Sequence, residues 1–446
     1  MVNKGPEPTI LVILGVTGDL SHRYLLPALT ELQKNKQLPK DLKILGVSRR
    51  QITSDEVFND KTAGLAKYTD FFQMDFDQPS DYRRLAKKLH KSEDMPKPQV
   101  IFYFAVPPDA VPDIIERLAA AGLNSPNVKL LLEKPFGKDL ESARKLVART
   151  AKCFRESQLY RIDHYLAKEV AQNISIFLSS NTLFRNVWNK DFIEYIEIVV
   201  AEQIGVEGRG NFYEQTGALR DIVQSHLLQL AALTLMESCP DPFDFSDLPG
   251  RRLAALKAMH IVHGKIAQTL FRAQYKGYRQ DVGNPDSTTE TFVALQVNSA
   301  NPRWEGVPVY LATGKKLDQK LSQIRVNFKK TSAAQANMLV IRIQPDEGIE
   351  LDLWVKKPGY EKELEKKILS FSFSQNFDRL PDAYEQVLID AIRSDQSLFA
   401  ASQEIIASWE VAQPALDYGQ KHPDELHFYQ PGCSIEQILN SKSAKY

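Results

Sequence analysis

One short stretch of the chain combines an acid, an imidazole, a phenol and an amine. Residues 161–169 read Arg-Ile-Asp-His-Tyr-Leu-Ala-Lys-Glu, which places Asp163, His164, Tyr165 and Lys168 close together. They follow a strand-like run and precede a helix-like one, and a helix N terminus attracts anions through its N–H groups and dipole. Because Tyr165 and Lys168 are three positions apart, we expect them on one helix face, forming a phosphate site with His164. The alternative is a polar helix start that Asp163 caps.

A second candidate site lies near the start of the chain. Residues 9–14 form an apolar run typical of a buried parallel strand, and a helical pattern follows the glycine turn after it. A strand, a glycine turn and a helix start form a site for a pyrophosphate, because glycine permits a tight turn and close approach. The predicted cofactor-binding residues of this turn are Gly15, Thr17, Gly18, Asp19 and Leu20. An ordinary strand-to-helix turn is the alternative.

The residues after the next predicted strand indicate which nucleotide would bind. That strand, 43–47, is followed by Ser48, Arg49 and Arg50, at a place where an NAD-binding chain would carry an acid. Two guanidinium groups suit the ribose 2′-phosphate of NADP by charge and by bidentate hydrogen bonding. We therefore predict NADP rather than NAD, with a solvated basic turn as the alternative.

One histidine of the second half is a candidate general base. His226 lies beside the apolar stripe of a helix predicted at 216–236. An imidazole titrates near neutral pH and can accept a proton, although a lone histidine in such a place is more often a hydrogen-bonded core residue. Lys134, at a predicted strand end, and Glu202 and Lys315, in polar loops, are further candidates for a cleft. For Lys134 the alternative is an ordinary surface lysine.

The order of the predicted elements divides the chain into two parts. Strands and helices alternate in the first part, which predicts a Rossmann-like, doubly wound parallel sheet. From residue 191 strands dominate, and stretches such as 349–353 alternate apolar with polar residues. This pattern predicts an α+β domain with a large, mainly antiparallel sheet. We expect an NADP-binding domain at 1–165 and a substrate-binding and dimerisation domain at 166–446.

Composition limits the classes of function. The chain has 446 residues, of which 25% are charged, and 56 Lys and Arg residues balance 56 Asp and Glu residues. Zero net charge argues against a dedicated nucleic-acid binder. The three cysteines are far apart in sequence, which fits a reducing cytoplasm, and no metal-ligand spacing is found. No apolar run is long enough to span a membrane, so we expect a cytoplasmic protein without metal, nucleic acid or membrane contact.

The chain resembles the glucose-6-phosphate dehydrogenase family over nearly its whole length. The motifs that carry this resemblance are GxxGDL at 15–20, Arg49, EKPFG at 133–137, RIDHYLxKE at 161–169, EGRG at 207–210, RDxxQxHLLQ at 220–229, GK at 314–315, LVIRIQP at 339–345, KKPG at 356–359 and LPDAYE at 380–385. Two of them, RIDHYLxKE and RDxxQxHLLQ, are specific when they occur in this order.

The resemblance implies a role for each matching residue. His226 would take the proton of the anomeric hydroxyl of the sugar, and Asp163 would orient and stabilise its imidazole. The phosphate would be held by His164, Tyr165 and Lys168, the sugar by Lys134, Glu202, Asp221 and Lys315, and the cofactor by the glycine turn, Lys134 and Arg49. The reaction would oxidise glucose 6-phosphate to 6-phosphoglucono-lactone with hydride transfer to NADP, as the first step of the oxidative pentose phosphate pathway. A homodimer or homotetramer is expected.

The chain departs from the family pattern at several positions. Tyr24 stands where the family usually has a lysine, Ala167 replaces the glycine of RIDHYLGKE, and Ser225 replaces the asparagine before the base histidine. These departures leave two alternatives open: an NAD(P)-dependent dehydrogenase of another sugar phosphate, or a catalytically inactive NADP-binding sensor. Some relatives bind a second, structural NADP near positions such as Arg342 and Lys357, and the sequence leaves this open as well.

Overall fold

A computed structural model describes residues 8–90, 98–239, 241–262, 264–331, 335–376 and 379–440. Contacts divide the chain into two compact units. The first consists of Met1–Gly137, Glu141–Ala167 and Pro381–Ser402, and the second of Lys138–Leu140, Lys168–Leu380 and Gln403–Tyr446. The domain boundary after residue 165 stays a prediction. The predicted second domain, 166–446, includes the segment 381–402, but in the structure this segment belongs to the first unit.

The first unit is built on a six-stranded parallel sheet. Its strands are β1 (Thr9–Leu14), β2 (Leu42–Ser48), β3 (Thr69–Gln73), β4 (Gln99–Phe104), β5 (Val128–Leu132) and β6 (Leu159–Arg161). They lie in the order β3-β2-β1-β4-β5-β6, and every neighbouring pair is parallel. The predicted Rossmann-like sheet is confirmed. Its strand order reverses between β1 and β4, and such a switch point is where open α/β sheets bind ligands.

Helices cover both faces of this sheet. They are Ser21–Leu25 (π-helical), Leu26–Lys34, Ser54–Val57, Pro79–His90, Val111–Ala120, Leu140–Cys153 and Ala383–Arg393, with 3₁₀ turns at Ala63–Tyr68, Pro108–Ala110 and Glu156–Gln158. Because successive strand residues point to opposite faces, β1 contributes Leu11 and Ile13 to one apolar cluster and Val12 and Leu14 to another. The helix Ala383–Arg393 packs in the cluster that contains Leu11 and Ile13.

The second unit is built on a ten-stranded mixed sheet. Its strands are β7 (Ile193–Ala201), β8 (Met259–His260), β9 (Leu270–Tyr275), β10 (Phe292–Ser299), β11 (Val309–Gly314), β12 (Leu321–Phe328), β13 (Met338–Gln344), β14 (Gly348–Lys356), β15 (Leu364–Ser372) and β16 (His427–Tyr429). The order is β15-β14-β13-β12-β7-β11-β10-β9-β16, and β8 pairs with β10. The pairs β7–β11 and β9–β16 are parallel and the other pairs are antiparallel. The predicted large, mainly antiparallel sheet is confirmed.

The helices of the second unit include the long segment that carries the candidate base. They are Glu169–Ser180, Thr182–Val187, Gly210–Ala218, Leu219–Leu227 (π-helical), Leu228–Leu235, Leu248–Ala258, Ile266–Thr269, Tyr278–Val282, Phe373–Asn376, Ser402–Lys421 and Ile435–Asn440, with 3₁₀ turns at Pro302–Trp304 and Pro423–Glu425. The continuous helix predicted at 216–236 is wrong at its start, because Gly217 has a φ of 67° and a ψ of 174°. Among the described residues, no helix combines the length and apolar composition needed to cross a bilayer.

Candidate active site

The glycine turn lies at the carboxyl ends of two adjacent parallel strands, β1 and β2. Gly15 has a φ of +88°, and a Cβ there would lie 2.3 Å from the carbonyl oxygen of Ala105, so the position requires glycine. The N–H groups of Gly15 and Val16 donate to the carbonyl oxygen of Val47 at 3.0 and 3.2 Å, and the N–H of Gly18 donates to that of Gly15 at 2.9 Å. These hydrogen bonds fix the turn at the edge of the sheet where a nucleotide would bind.

The chain leaves this turn through a π-helical segment, Ser21–Leu25. The Ser21 hydroxyl donates to the carbonyl oxygen of Gly15 at 3.1 Å, which ties the segment to the turn. The Asp19 carboxylate lies 2.7 Å from Nε of Arg23, in an exposed ion pair. The other predicted cofactor residues, Thr17 and Leu20, lie between Gly15 and this segment. The helix was expected, but its π-helical first turn was not.

The structure separates the two arginines that follow β2. The guanidinium of Arg50 forms an ion pair with the carboxylate of Glu56, and its hydrogen bond is the main reason that the pKa of Glu56 is lowered. Arg49 is exposed, and among the described residues its guanidinium has no ion-pair partner. Arg49 is therefore the better candidate of the two for binding a 2′-phosphate, because no carboxylate competes for its charge.

Glu133 links the loop after β5 to the turn after β6. Its Oε2 lies 3.4 Å from Nε2 of His164, and its Oε1 accepts a hydrogen bond of 2.5 Å from the Tyr103 hydroxyl. Burial, followed by the charge of Glu133, raises the pKa of Tyr103 well above its usual value, so the phenol remains a donor. Lys134 follows directly and is joined to Pro135 by a cis peptide bond. Sequence reasoning missed Tyr103 and had assigned no role to Glu133.

Asp163 shapes the turn that carries His164 and Tyr165. Its Oδ1 accepts hydrogen bonds from the N–H groups of Tyr165 and Leu166 at 2.8 and 3.4 Å, and its side chain is buried. A side chain that bonds the backbone two residues further on forms an Asx turn. The Asx turn holds the carboxylate in one orientation, but it does not cap a helix as the alternative required, because the N-cap residue of the following helix is Lys168.

The prediction that Tyr165 and Lys168 lie on one helix face is wrong. Residues 164–167 form a turn, and the helix begins at Glu169 with Lys168 as its N-cap residue at a φ of −69° and a ψ of 140°. The Asx turn of Asp163 competes with helical hydrogen bonding and delays the helix. Tyr165 belongs to the first unit and Lys168 to the second.

The carboxylate of Glu347, which is distant in sequence, lies beside Lys168 at the start of its helix. The Nζ of Lys168 lies 3.9 Å from Oε1 of Glu347, and Oε2 of Glu347 accepts a hydrogen bond from the N–H of Val170 at 3.0 Å. Burial raises the pKa of Glu347, and the N–H of Val170 and the charge of Lys168 act in the opposite direction. The sequence contains no local signal for Glu347, because it lies far along the chain from its partners.

Two parallel strands bring Glu202 and Lys315 together. Glu202 follows β7 and Lys315 follows β11, and since these strands are parallel their carboxyl ends meet at one edge of the sheet. The Nζ of Lys315 lies 2.5 Å from Oε2 of Glu202 and 4.9 Å from the ring centroid of Tyr213. Burial raises the pKa of Tyr213, and the charge of the Asp221 carboxylate acts in the same direction. Tyr213 was missed by sequence reasoning.

Asp221 and His226 lie on the π-helical segment Leu219–Leu227. Hydrogen bonds in a π-helix join residues five apart, so these two side chains lie one turn apart along the segment. His226 is only 4% exposed, as its position beside the apolar stripe predicted. The buried carboxylate of Glu290 accepts a hydrogen bond of 3.0 Å from the N–H of Leu219 and thereby anchors the first turn.

Each unit therefore assembles its own share of the predicted site residues. The first unit holds Gly15, Thr17, Gly18, Asp19, Leu20, Arg49, Lys134, Asp163, His164 and Tyr165, and the second holds Lys168, Glu202, Asp221, His226 and Lys315. Among the described residues, no group of three or more His, Cys, Asp or Glu side chains could hold a metal ion.

Comparison with known proteins identifies relatives of the whole chain. Residues 12–173 match the family model described as "Glucose-6-phosphate dehydrogenase, NAD binding domain", and residues 176–442 match "Glucose-6-phosphate dehydrogenase, C-terminal domain". The chain is 38% identical to glucose-6-phosphate 1-dehydrogenase of Borreliella burgdorferi over 93% of this chain and 95% of the relative. It is 35% identical to the enzyme of that name from Rhizobium meliloti over 96% of this chain and 94% of the relative.

Solved structures give the same result. The chain is similar to a structure described as glucose-6-phosphate dehydrogenase in complex with its substrate glucose-6-phosphate, with a TM-score of 0.90 and 30% identity over 100% of this chain and 99% of that one. It is also similar to glucose-6-phosphate 1-dehydrogenase from Mycobacterium avium, with a TM-score of 0.84 and 33% identity over 96% of this chain and 95% of that one.

Proposed function

The chain belongs to the glucose-6-phosphate dehydrogenase family, and from this premise we infer that it oxidises glucose 6-phosphate to 6-phosphoglucono-lactone with NADP as hydride acceptor. The observation that carries this inference is the full-length likeness to a substrate-bound relative, at a TM-score of 0.90. The chain would act in carbohydrate metabolism, at the entry to the oxidative pentose phosphate pathway. An oxidoreductase of this kind needs a nucleotide site, a phosphate site and a base.

The residues of the first unit fit an NADP molecule. The glycine turn permits close approach of a pyrophosphate, and the guanidinium of Arg49, without an ion-pair partner among the described residues, suits a 2′-phosphate. Lys134 would lie on the nicotinamide side, where sugar and cofactor meet. When bound, NADP supplies the hydride acceptor. The remaining work falls to the side chains of the chain itself.

The proton has to leave the anomeric hydroxyl as the hydride leaves the anomeric carbon. We assign this proton to His226, whose buried imidazole is suited to general-base catalysis. Asp163 would orient the imidazole and stabilise the imidazolium that forms, as the acid of a base–acid pair does. Holding base and acceptor on either side of one carbon turns the reaction into an effectively unimolecular step.

The remaining polar residues would hold the sugar phosphate. His164, Tyr165 and Lys168 would bind the phosphate group, since together they offer cationic and hydroxyl donors. Lys134, Glu202, Asp221 and Lys315 would bind the hydroxyl groups of the sugar. The ion pair of Glu202 and Lys315, at 2.5 Å, supports this assignment because it presents an acceptor and a donor side by side.

We also propose that the chain acts in the cytoplasm as a homodimer or homotetramer. The edge strand β15 exposes several large apolar side chains, and exposed apolar groups on a sheet edge favour association. These side chains are Leu364, Ile368, Leu369 and Phe371.

The decisive experiment follows the absorbance of the reduced cofactor with purified protein, glucose 6-phosphate and either NADP or NAD. We expect reduction with NADP, and a lower catalytic efficiency with NAD and with other sugar phosphates. A clear preference for another sugar phosphate would replace the substrate assignment. Folded protein that binds NADP but reduces none of it would instead indicate an inactive sensor.

A further inference from the structure

Three aromatic rings form a continuous stack in the first unit. The ring centroids of Tyr24 and Tyr384 are 5.0 Å apart with an interplanar angle of 13°. The imidazole of His164 packs on Tyr384, with the centroids 4.4 Å apart and an interplanar angle of 32°. Tyr24 comes from the π-helical segment after the glycine turn, and Tyr384 from the first turn of the helix Ala383–Arg393. The stack therefore connects the nucleotide turn to a residue of the proposed phosphate site.

Few contacts set the orientation of the His164 ring. Its Nε2 lies 3.4 Å from Oε2 of Glu133, which the Tyr103 hydroxyl holds in place. Its Nδ1 is buried and has no hydrogen-bond partner among the described residues. The plane of the imidazole is therefore controlled mainly by its contact with Tyr384, while Glu133 controls the position of its edge.

Tyr384 contacts both of the other rings in this arrangement. Burial, followed by the charge of Glu133 and the presence of Tyr24, raises the pKa of Tyr384, so the ring stays a neutral phenol. A neutral aromatic face attracts an imidazolium and also favours offset stacking with a second ring. Tyr24 stacks on Tyr384 and remains 48% exposed, so it adds little to the buried core. Tyr24 therefore packs on the ring that contacts His164.

We propose that Tyr24 is a positioning residue of the sugar-phosphate site, which acts through Tyr384 on the imidazole of His164. This inference rests on the proposed function, because it takes His164 as a phosphate ligand. It gives a role to a position at which the chain departs from the lysine usual in the family. Tyr24 would contribute to binding of the phosphate group rather than to removal of the hydride or to binding of NADP.

The test compares Tyr24→Leu, which removes the stack, with Tyr24→Phe, which keeps it. Calorimetric titration should show that Tyr24→Leu raises the Kd for glucose 6-phosphate about three- to tenfold, as expected for loss of one aromatic pair. The Kd for NADP and kcat should stay within about twofold of the wild-type values. Tyr24→Phe should bind glucose 6-phosphate as tightly as the wild type does. Phe428→Leu removes a similarly exposed ring from the second unit and should change none of these quantities.

Oxidation of free glucose supplies a second readout, because glucose has no phosphate group. The ratio of kcat/KM for glucose 6-phosphate to that for glucose should fall about three- to tenfold in Tyr24→Leu. An unchanged ratio and an unchanged Kd would overturn the inference, and so would an effect confined to NADP. If Tyr24→Leu does not fold, Tyr24→Gln, which also lacks a ring, takes its place. Wild-type protein that neither binds nor oxidises glucose 6-phosphate would instead overturn the proposed function.

Discussion

The two arginines after β2 provide the sharpest test of cofactor choice at the level of single residues. Arg49→Ala should raise the KM for NADP about ten- to a hundredfold, since a charge-assisted hydrogen bond contributes about 1.5–3 kcal/mol. The KM for NAD should hardly change, because NAD has no 2′-phosphate. The matched variant Arg50→Ala should have a small effect on both cofactors, because Arg50 already pairs with Glu56. Steady-state kinetics with each cofactor distinguish these outcomes, and equal effects of Arg49→Ala on both would refute the assignment.

His226 can be tested by separating chemistry from binding. His226→Asn keeps a polar side chain of similar size but removes the base, so kcat should fall by a factor of about 10²–10⁴. The Kd for glucose 6-phosphate should remain within a fewfold of the wild-type value, because other residues hold the phosphate. Calorimetry and initial rates measure the two quantities. His260→Asn, at an exposed histidine, is the control, and near-normal turnover of His226→Asn would remove His226 from the mechanism.

Sequence motifs identified residue types well, but they did not identify partners. Glu202 and Lys315 were both predicted as site residues, yet their 2.5 Å ion pair depends on the parallel pairing of β7 with β11. Glu347, which holds Lys168, and Tyr213, which packs on Lys315, have no motif that would single them out. Such partners are set by sheet register and tertiary packing, which a local pattern does not contain.

At the level of elements, Gly217 shows how the helical segment that carries the candidate base depends on one backbone position. Gly217→Ala would place a Cβ 2.4 Å from Oε1 of Glu290 at a φ of +67°, so either the carboxylate that anchors the π-helical segment or the backbone at Gly217 has to move. We expect a loss of stability of about 1–3 kcal/mol and a lower kcat. Gly283 has the same φ but a ψ of 23°, in the left-handed helical region, and nothing lies within 4 Å of its Cβ position, so Gly283→Ala tests a positive φ without a clash.

Chemical denaturation and steady-state kinetics on both glycine variants separate these effects. Gly283→Ala should be destabilised by less than Gly217→Ala and should retain its kcat, because it disturbs no neighbour. If Gly217→Ala and Gly283→Ala were equally stable and equally active, neither the ψ of 174° at Gly217 nor its contact with Glu290 would have structural importance.

The helix Ala383–Arg393 carries a buried acid that should make stability depend on pH. Burial raises the pKa of Asp390 from 3.8 to about 7, its Oδ1 accepts a hydrogen bond from Gln386 at 2.8 Å, and its Oδ2 has no partner among the described residues. A pKa that is higher in the folded than in the unfolded chain means that folding binds a proton. The contribution of Asp390 to stability is therefore greatest below about pH 4 and is lost as the pH rises to about 7.

Asp390→Asn removes this titration and keeps the shape of the side chain. We compare the unfolding free energy of this variant with that of the wild type at each pH. The difference between the two proteins should be about 2–3 kcal/mol larger at pH 8 than at pH 5, since one pKa unit corresponds to 1.36 kcal/mol. Urea denaturation of both proteins at the two pH values measures the difference. A gain that is independent of pH would show that Asp390 ionises normally in the folded protein.

Strands with clear apolar patterns were predicted well, and strands with buried polar residues were missed. The bounds of β1 agree with the predicted 9–14, and β2 extends one residue beyond the predicted 43–47 at each end. The strand β9 was missed because it buries Arg272 and Gln274, which hide its apolar pattern. The π-helical segments were also missed, because their hydrophobic period is too close to that of an α-helix for a short sequence to distinguish.

At the level of the whole molecule, the order of the predicted elements indicated two sheets of different kinds. It did not indicate that a segment late in the chain belongs to the first unit. The segment Pro381–Ser402 joins the first unit, where its helix packs with Leu11 and Ile13 and Ala400 forms a bridge with Arg161. An amphipathic helix shows that it has an apolar face, but its pattern does not identify the surface that the face covers. Long-range assignment of this kind requires the folded structure.

The exposed apolar edge of the second sheet predicts that several chains assemble. Among the described residues, β15 pairs with β14 alone, and it exposes 59% of Leu369 and 44% of Phe371 on one face and 52% each of Leu364 and Ile368 on the other. Soluble proteins rarely leave a long edge strand with so much apolar surface open to water. We therefore expect a homodimer or homotetramer at micromolar concentration, detectable as a multiple of the chain mass by light scattering after size exclusion.

A charge placed in this surface should weaken the assembly. Leu369→Lys introduces a cation that would have to be desolvated on association, so the oligomer should dissociate at higher protein concentration than the wild type. Leu183→Lys makes the same change at a leucine outside the sheet that is even more exposed, at 80%, and should leave the mass unchanged. A wild-type monomer, or an oligomer that Leu183→Lys dissociates and Leu369→Lys does not, would show that chains associate elsewhere or not at all. If the prediction holds, the apolar edge of β15 is explained by a contact that a single chain cannot satisfy.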